Sequence, residues 1–178
     1  MLVSTAAELP LEKAGLVRAA QGGDRSAFGA LYEQYARMVH GILLAHVPYS
    51  EAEDLVQDVF IRALQQLRSL REPEAFGSWL ASIARRAAVD LHRKRKLLPD
   101  TKEQAGGMRS DDESFVILGA LNALPEAYRE TLILRLLEGM TGPEIAQRTG
   151  LKPESVRVNL CRGMKLLRQA LGGGSKNE

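Results

Sequence analysis

Between Thr141 and Lys165 the chain reads TGPEIAQRTGLKPESVRVNLCRGMK, two short helical segments around a glycine, the second of them rich in cations. Thr141 and Glu144 have the spacing of a capping box, in which hydroxyl and carboxylate each satisfy a backbone N–H that the first helical turn leaves open. Pro143 fits that turn because no helical donor is needed there, and Gly150 can take the left-handed conformation that ends a helix. Pro153 then opens a second helix in which Val156, Leu160, Met164 and Leu167 form an inward stripe. Arg157, Arg162, Lys165 and Arg168 fall off that stripe. This is the build of a helix-turn-helix, whose second helix can lay such cations against base edges and phosphates. DNA is the implied partner; the competing reading is a packed helical hairpin with a solvated charged face.

Two further constellations bear on the choice. Arg85-Arg-Ala-Ala-Val-Asp-Leu-His-Arg-Lys-Arg-Lys96 gathers more cations than one helix end needs. One or two charges, each contributing about 0.3–1 kcal/mol, would complement a helix dipole. The excess points to phosphate. Glu51, Asp54 and Asp58, with Arg62 at an i,i+4 spacing from Asp58, make an acidic strip beside an apolar one. Such a strip is a solvated face or a docking face for a basic protein surface; so close to DNA-binding cations, docking explains it better.

The elements that must position these groups are helical, since the apolar spacing is helical nearly throughout and no period-two alternation appears. Leu11 to Gln21 is expected as a first helix, stopped by Gly22-Gly23. A second runs from about Ser26 to His46 and ends before Pro48. A third is capped by Ser50 and Glu53, with Ala52, Leu55, Val56, Val59, Phe60, Ala63, Leu67 and Leu70 as its stripe. A fourth spans about Glu74 to Lys96 with Phe76, Trp79, Leu80, Ile83, Ala87 and Leu91 facing in. From Leu97 to Glu113 the chain turns polar and glycine-bearing, as a flexible linker would. The expectation is an all-α protein of two small helical domains, 1–96 and 114–178, joined by a flexible linker at 97–113. In the second domain, Leu124-Pro125 marks a turn before a helix ending near Gly139.

At 178 residues and a net charge of +2, any nucleic-acid footprint must come from segregated charge. Cys161 is the one cysteine and the three histidines have no second-ligand pattern, so no metal site is expected, and no cofactor. No glycine-rich phosphate loop or nucleophile with its base is visible, so no catalytic residue and no enzyme activity are expected. No apolar run approaches the about 20 residues of a membrane span, and no cleavable leader is visible, so membrane insertion is not expected and the expected location is cytoplasmic.

In order, these features resemble the extracytoplasmic-function group of bacterial sigma factors, the dissociable promoter-specificity subunits of RNA polymerase. The resemblance is carried by Gly23-Asp-Arg-Ser-Ala-Phe-Gly-Ala-Leu-Tyr32, Glu53-Asp-Leu-Val-Gln-Asp-Val-Phe-Ile-Arg-Ala63, Phe76-Gly-Ser-Trp-Leu80 with Ile83-Ala-Arg, Leu124-Pro-Glu-Ala-Tyr, and the helix-turn-helix. It implies sigma domain two up to about residue 96 and sigma domain four from about 114. It further implies that Asp54, Gln57, Asp58 and Arg62 meet the clamp helices of core RNA polymerase, with the polymerase flap as a second contact. Minus-10 DNA falls to Phe76, Arg85, Arg86, Arg93, Lys94, Arg95 and Lys96. The minus-35 element falls to Lys152, Ser155, Arg157, Val158, Cys161, Arg162 and Lys165. An anti-sigma protein is the implied regulator. Arg86 stands where many members have asparagine, which turns a base-proximal contact into a phosphate contact, and Lys152 stands where a capping hydroxyl is usual.

Trp79 lies on the apolar stripe and reads as core, whereas Phe76 admits both packing and base stacking. Cys161, with no resolving partner, reads as a groove-side or packing residue. The other functional class that fits is a dimeric helix-turn-helix repressor or activator with a helical regulatory domain. It would leave the acidic third helix and the basic fourth without a task, and it would bind DNA without polymerase.

Overall fold

A computed structural model describes residues 8–97 and 113–172. Among these residues there are eight α-helices and no strand: α1 (Glu8–Gln21), α2 (Arg25–Leu44), α3 (Tyr49–Gln66), α4 (Phe76–Leu97), α5 (Glu113–Asn122), α6 (Glu126–Leu136), α7 (Gly142–Thr149) and α8 (Pro153–Gly172). Two short 3-10 turns, Leu67–Ser69 and Pro73–Ala75, lie between α3 and α4. The expected linker, apart from its two end residues, lies outside the described residues.

Local chemistry sets the starts of α2 and α3. Asp24 caps α2, its carboxylate accepting from the backbone N–H of Ser26 at 2.8 Å and of Ala27 at 3.1 Å and from the Ser26 hydroxyl at 2.9 Å. The Ala27 bond, followed by those from Ser26, holds that carboxyl below the usual aspartate range. The cap thus sits ahead of the Ser26 start expected from the apolar pattern. The capping box expected at Ser50 and Glu53 does not form: α3 begins earlier, at Tyr49, with Pro48 at the N-cap and no side-chain cap. The proline's fixed φ of −57° directs the chain straight into the helix, and its carbonyl accepts from Glu51 N–H at 3.0 Å. Ser50 is left inside the first turn.

The first half packs α1 on α2 and closes α2, α3 and α4 around Leu31, Met38, Val39, Ile42, Val59 and Leu80, all essentially inaccessible. In the second half α6, α7 and α5 pack on α8. Gly163 lets α8 approach α6 closely, since a Cβ there would stand 2.8 Å from Leu132 Cδ1. The two helical domains touch in this arrangement. Helix α6 also rests on α2, and α7 on α4, so that one continuous apolar cluster runs through both.

Candidate nucleic-acid interface

The turn between α7 and α8 is built as its residue types dictate. The Thr141 hydroxyl accepts from Glu144 N–H at 3.4 Å, and the Glu144 carboxylate accepts from Thr141 N–H at 2.8 Å. Both halves of the capping box are present. Gly150 stands at φ 75°, and its N–H closes on Ala146 O at 3.0 Å. The Thr149 hydroxyl, buried, donates to Ile145 O at 2.6 Å. Pro153 then starts α8, with Val156 N–H donating to Lys152 O at 3.0 Å.

Burying Val156, Gly163 and Leu167, with Leu160 and Met164 half-buried, fixes which side of α8 meets solvent. Lys152, Ser155, Arg157, Val158, Cys161, Arg162 and Lys165 are all exposed. Val158, Cys161, Arg162 and Lys165 share the outward face by helical spacing, and Arg157 lies nearer its edge. There it borders an apolar groove between α7 and α8 lined by Pro143, Ala146, Leu151, Val156 and Leu160. Among the described residues, none of Arg157, Arg162, Lys165 and Arg168 is in an ion pair. Cations without carboxylate partners are chemically able to donate to phosphate or to the acceptors of a guanine edge.

The expected minus-10 residues divide. Arg86, Arg93, Lys94 and Arg95 are exposed on α4, although Arg95 is paired with Glu51 of α3. Lys96 belongs to α4, with its side chain outside the described residues. Phe76 is 1% exposed, its ring 5.2 Å from that of Tyr35 and 5.8 Å from that of Trp79. Of its two readings, packing is the one this arrangement realises. Trp79, on the other hand, is only half-buried.

Arg85 is turned away from solvent chemistry by a bidentate pair with Glu130 of α6, Nε to Oε2 at 3.0 Å and Nη2 to Oε1 at 2.6 Å. His46 adds a longer contact to the same carboxylate at 3.4 Å. Burial pushes the Glu130 carboxyl up, but the hydrogen bonds from His46 and Arg85 outweigh it and leave it below the usual glutamate range. The bond to Glu130 likewise holds Arg85 more firmly protonated. Neither Glu130 nor His46 carries a distinguishing signal in the sequence.

On α3, Asp54, Gln57 and Asp58 are exposed on one face. Arg62 does not pair with Asp58 as the i,i+4 spacing suggests; it reaches across to Asp90 of α4 at 3.0 Å. A partner on a neighbouring helix is held by the packing of both, which a flexible same-helix pair is not. The acidic face continues into Ile61 and Leu64, which are 54% and 52% exposed. Their signal in the sequence was an isoleucine and a leucine on the side opposite the buried stripe.

Among the described residues, no group of histidine, cysteine and acidic side chains could hold a metal ion, and no helix is long and apolar enough to cross a membrane.

Residues 31–97 match the family profile described as Sigma-70 region 2, and residues 114–167 the one described as Sigma-70, region 4. The chain is 32% identical over 123 residues to the RNA polymerase sigma factor SigV of Bacillus subtilis, covering 66% of this chain and 74% of SigV. It is 28% identical to the ECF RNA polymerase sigma factor SigK of Mycolicibacterium vanbaalenii, covering 97% of each chain. With the probable RNA polymerase sigma factor RfaY of Xanthomonas campestris the identity is 31% over 85% of this chain, which spans only 42% of RfaY. In fold it is similar to CnrH, solved in complex with the cytosolic domain of CnrY, at a TM-score of 0.66 and 24% identity over 92% of this chain and 99% of CnrH.

Proposed function

This chain belongs to the extracytoplasmic-function (ECF) group of the sigma-70 family, and on that basis we propose how its surfaces divide the work of promoter recognition. Helix α8 reads the minus-35 element through Arg157, Val158, Cys161 and Arg162, with Lys152, Ser155 and Lys165 at its borders. The cationic end of α4, Arg86 and Arg93 to Lys96, holds the DNA backbone at the minus-10 element. The outward face of α3 docks on core polymerase, its acids Asp54 and Asp58 meeting a basic surface and Ile61 and Leu64 an apolar one. Promoter melting draws on polymerase binding energy and asks no proton transfer or nucleophile of this chain. An anti-sigma protein is the expected control; CnrH, similar in fold, is solved in complex with the cytosolic domain of CnrY.

The observation that carries this reading is the cationic face of α8, without ion-pair partners among the described residues, on a helix that follows α7, whose two ends are fixed by a complete capping box and a left-handed glycine. An arginine paired with a guanine edge contributes about 1–3 kcal/mol of discrimination, whereas one on phosphate weakens all sequences alike. The test is transcription in vitro with core polymerase on promoter libraries randomised separately at the two elements. Arg157→Ala or Arg162→Ala should relax preference at one or two minus-35 positions and leave minus-10 preference unchanged. Full retention of minus-35 preference in both variants refutes the reading-helix assignment. Promoter binding by the chain alone, with no gain from core polymerase, favours the repressor class instead.

A further inference from the structure

Val158 is the exception on the outward face of α8. Glu154 and Ser155 precede it by one turn, and Cys161, Arg162 and Lys165 follow within two. All five are exposed, and each can donate or accept a hydrogen bond, Cys161 weakly. Val158 can do neither, yet it is 42% exposed. Folding gains nothing from it there. Leu160, Met164 and Leu166 of the same helix pack on the apolar cluster, and Val158 is not among them. A β-branched residue is also a weaker helix former than alanine or lysine, so a wet helix face offers it no local advantage. A lone exposed valine is ordinary on most protein surfaces. One at the middle of a face proposed to read base edges has a chemical consequence.

The base edges decide what such a side chain can recognise. In the major groove guanine shows two acceptors, adenine an acceptor and a donor, cytosine a donor, and thymine an acceptor beside its C5-methyl group. That methyl is the one large apolar group on the four edges. A valine set against guanine, adenine or cytosine strips water from a polar group without replacing its hydrogen bond, which costs free energy. Set against thymine it buries methyl on methyl, and its restricted χ1 presents the side chain with little rotational freedom left to lose. Arg162 lies one turn further on, about 6 Å along the axis at about 1.5 Å per residue. Base pairs stack about 3.4 Å apart, so the two side chains address bases about two steps from each other.

We propose that Val158 is a thymine reader, recognising the C5-methyl of one minus-35 thymine about two base pairs from the base that Arg162 meets. The inference rests on the promoter-recognition reading and adds a base identity that the reading leaves open. Cys161, nearly one turn along the same face, extends the apolar floor beside Val158. Two chemistries then select sequence within one turn of helix: Arg162 through hydrogen bonds, and Val158 through the release of water from a methyl group.

The test uses holoenzyme assembled from core polymerase and the full chain, bound to the minus-35 sequence selected from the promoter library, with each thymine of either strand replaced in turn by deoxyuridine. Deoxyuridine keeps the pairing edge and the O4 acceptor and lacks only the C5-methyl. At one position the parent should bind deoxyuridine about fourfold more weakly than thymine, the share of one buried methyl. Val158→Ala should bind the two templates equally, at unchanged helicity, since alanine suits an exposed helix position better than valine. Indifference of the parent to every replacement overturns the proposal, as does a Val158→Ala variant that still discriminates at the sensitive position. A sensitive position more than about three base pairs from the one relaxed by Arg162→Ala also overturns it. So does a selected minus-35 sequence with no thymine on either strand. Loss of all minus-35 preference in the parent would refute the promoter reading itself, whereas a clear preference blind to the methyl removes this inference alone.

Discussion

Arg162 on α8 and Arg85 on α4 are the same residue type and both are expected from the sequence to contact DNA, one at the minus-35 and the other at the minus-10 element, yet the fold treats them differently. Arg162 stands exposed with no ion-pair partner among the described residues, whereas Arg85 is held by both oxygens of a buried carboxylate. A cation's availability is therefore set by which carboxylates the packing brings near, not by its position in a basic run. The cations of α8 proposed to read DNA are open to solvent, whereas Arg85 is engaged by Glu130.

Stability measurements should separate these two arginines most widely. Arg85→Ala leaves the Glu130 carboxylate buried with only the longer His46 contact. Losing one partner of a fully buried pair costs about 3–5 kcal/mol, and with the Arg85 side chain 34% exposed the expected loss is nearer about 2 kcal/mol. Arg162→Ala should leave the urea midpoint unchanged. Equal midpoints for the two variants would erase the distinction between them.

Next in size is the response to salt. Neutralising Arg93, Lys94 and Arg95 together removes three candidate phosphate contacts, each contributing about 0.9 to the slope of log affinity against log salt. Holoenzyme binding to unrelated promoters should therefore weaken together, with a slope flatter by about 2–3 and sequence preference kept. Because Arg95 is already paired with Glu51, a loss nearer two contacts than three would show that the pair persists on DNA. An unchanged slope would return these side chains to the helix end alone.

The smallest effect is expected on α3. Asp54→Lys with Asp58→Lys should slow association with core polymerase by about tenfold at low salt, less at high salt, with helicity unaltered. Identical association rates would leave the acidic face to solvent and shift the docking role to Ile61 and Leu64.

How much of this was legible from the residues depends on the range of the interaction. The α7–α8 turn was readable because Thr141, Glu144, Gly150 and Pro153 each act within a few residues of themselves. The all-α fold and the outward face of α8 followed from spacing alone. The start of α3 was not readable, since Pro48 and Ser50 both offer a helix start and only the built chain shows which is used. Phe76 and Trp79 lie three apart on one stripe, and nothing local says that the smaller ring is the one sealed in. Arg62 chose Asp90 over Asp58 through the placement of α4. The seam between the halves, where α6 and α7 meet α2 and α4, was the least legible feature, because Glu130, Glu138, Gly41 and Gly77 are ordinary residues until another helix arrives. Its one trace was the nearly unbroken apolar run Thr131-Leu-Ile-Leu134, too continuous for a helix with a wet side.

The mixed character of that seam gives it a temperature coefficient. Its apolar part, centred on Leu134 against Gly41, weakens on cooling as apolar hydration becomes less unfavourable. Its buried pairs, Arg85 with Glu130 and His40 with Glu138, become less costly to dehydrate on warming. Both trends have the same sign, so the two halves of this chain hold together more tightly when warm and part more readily in the cold.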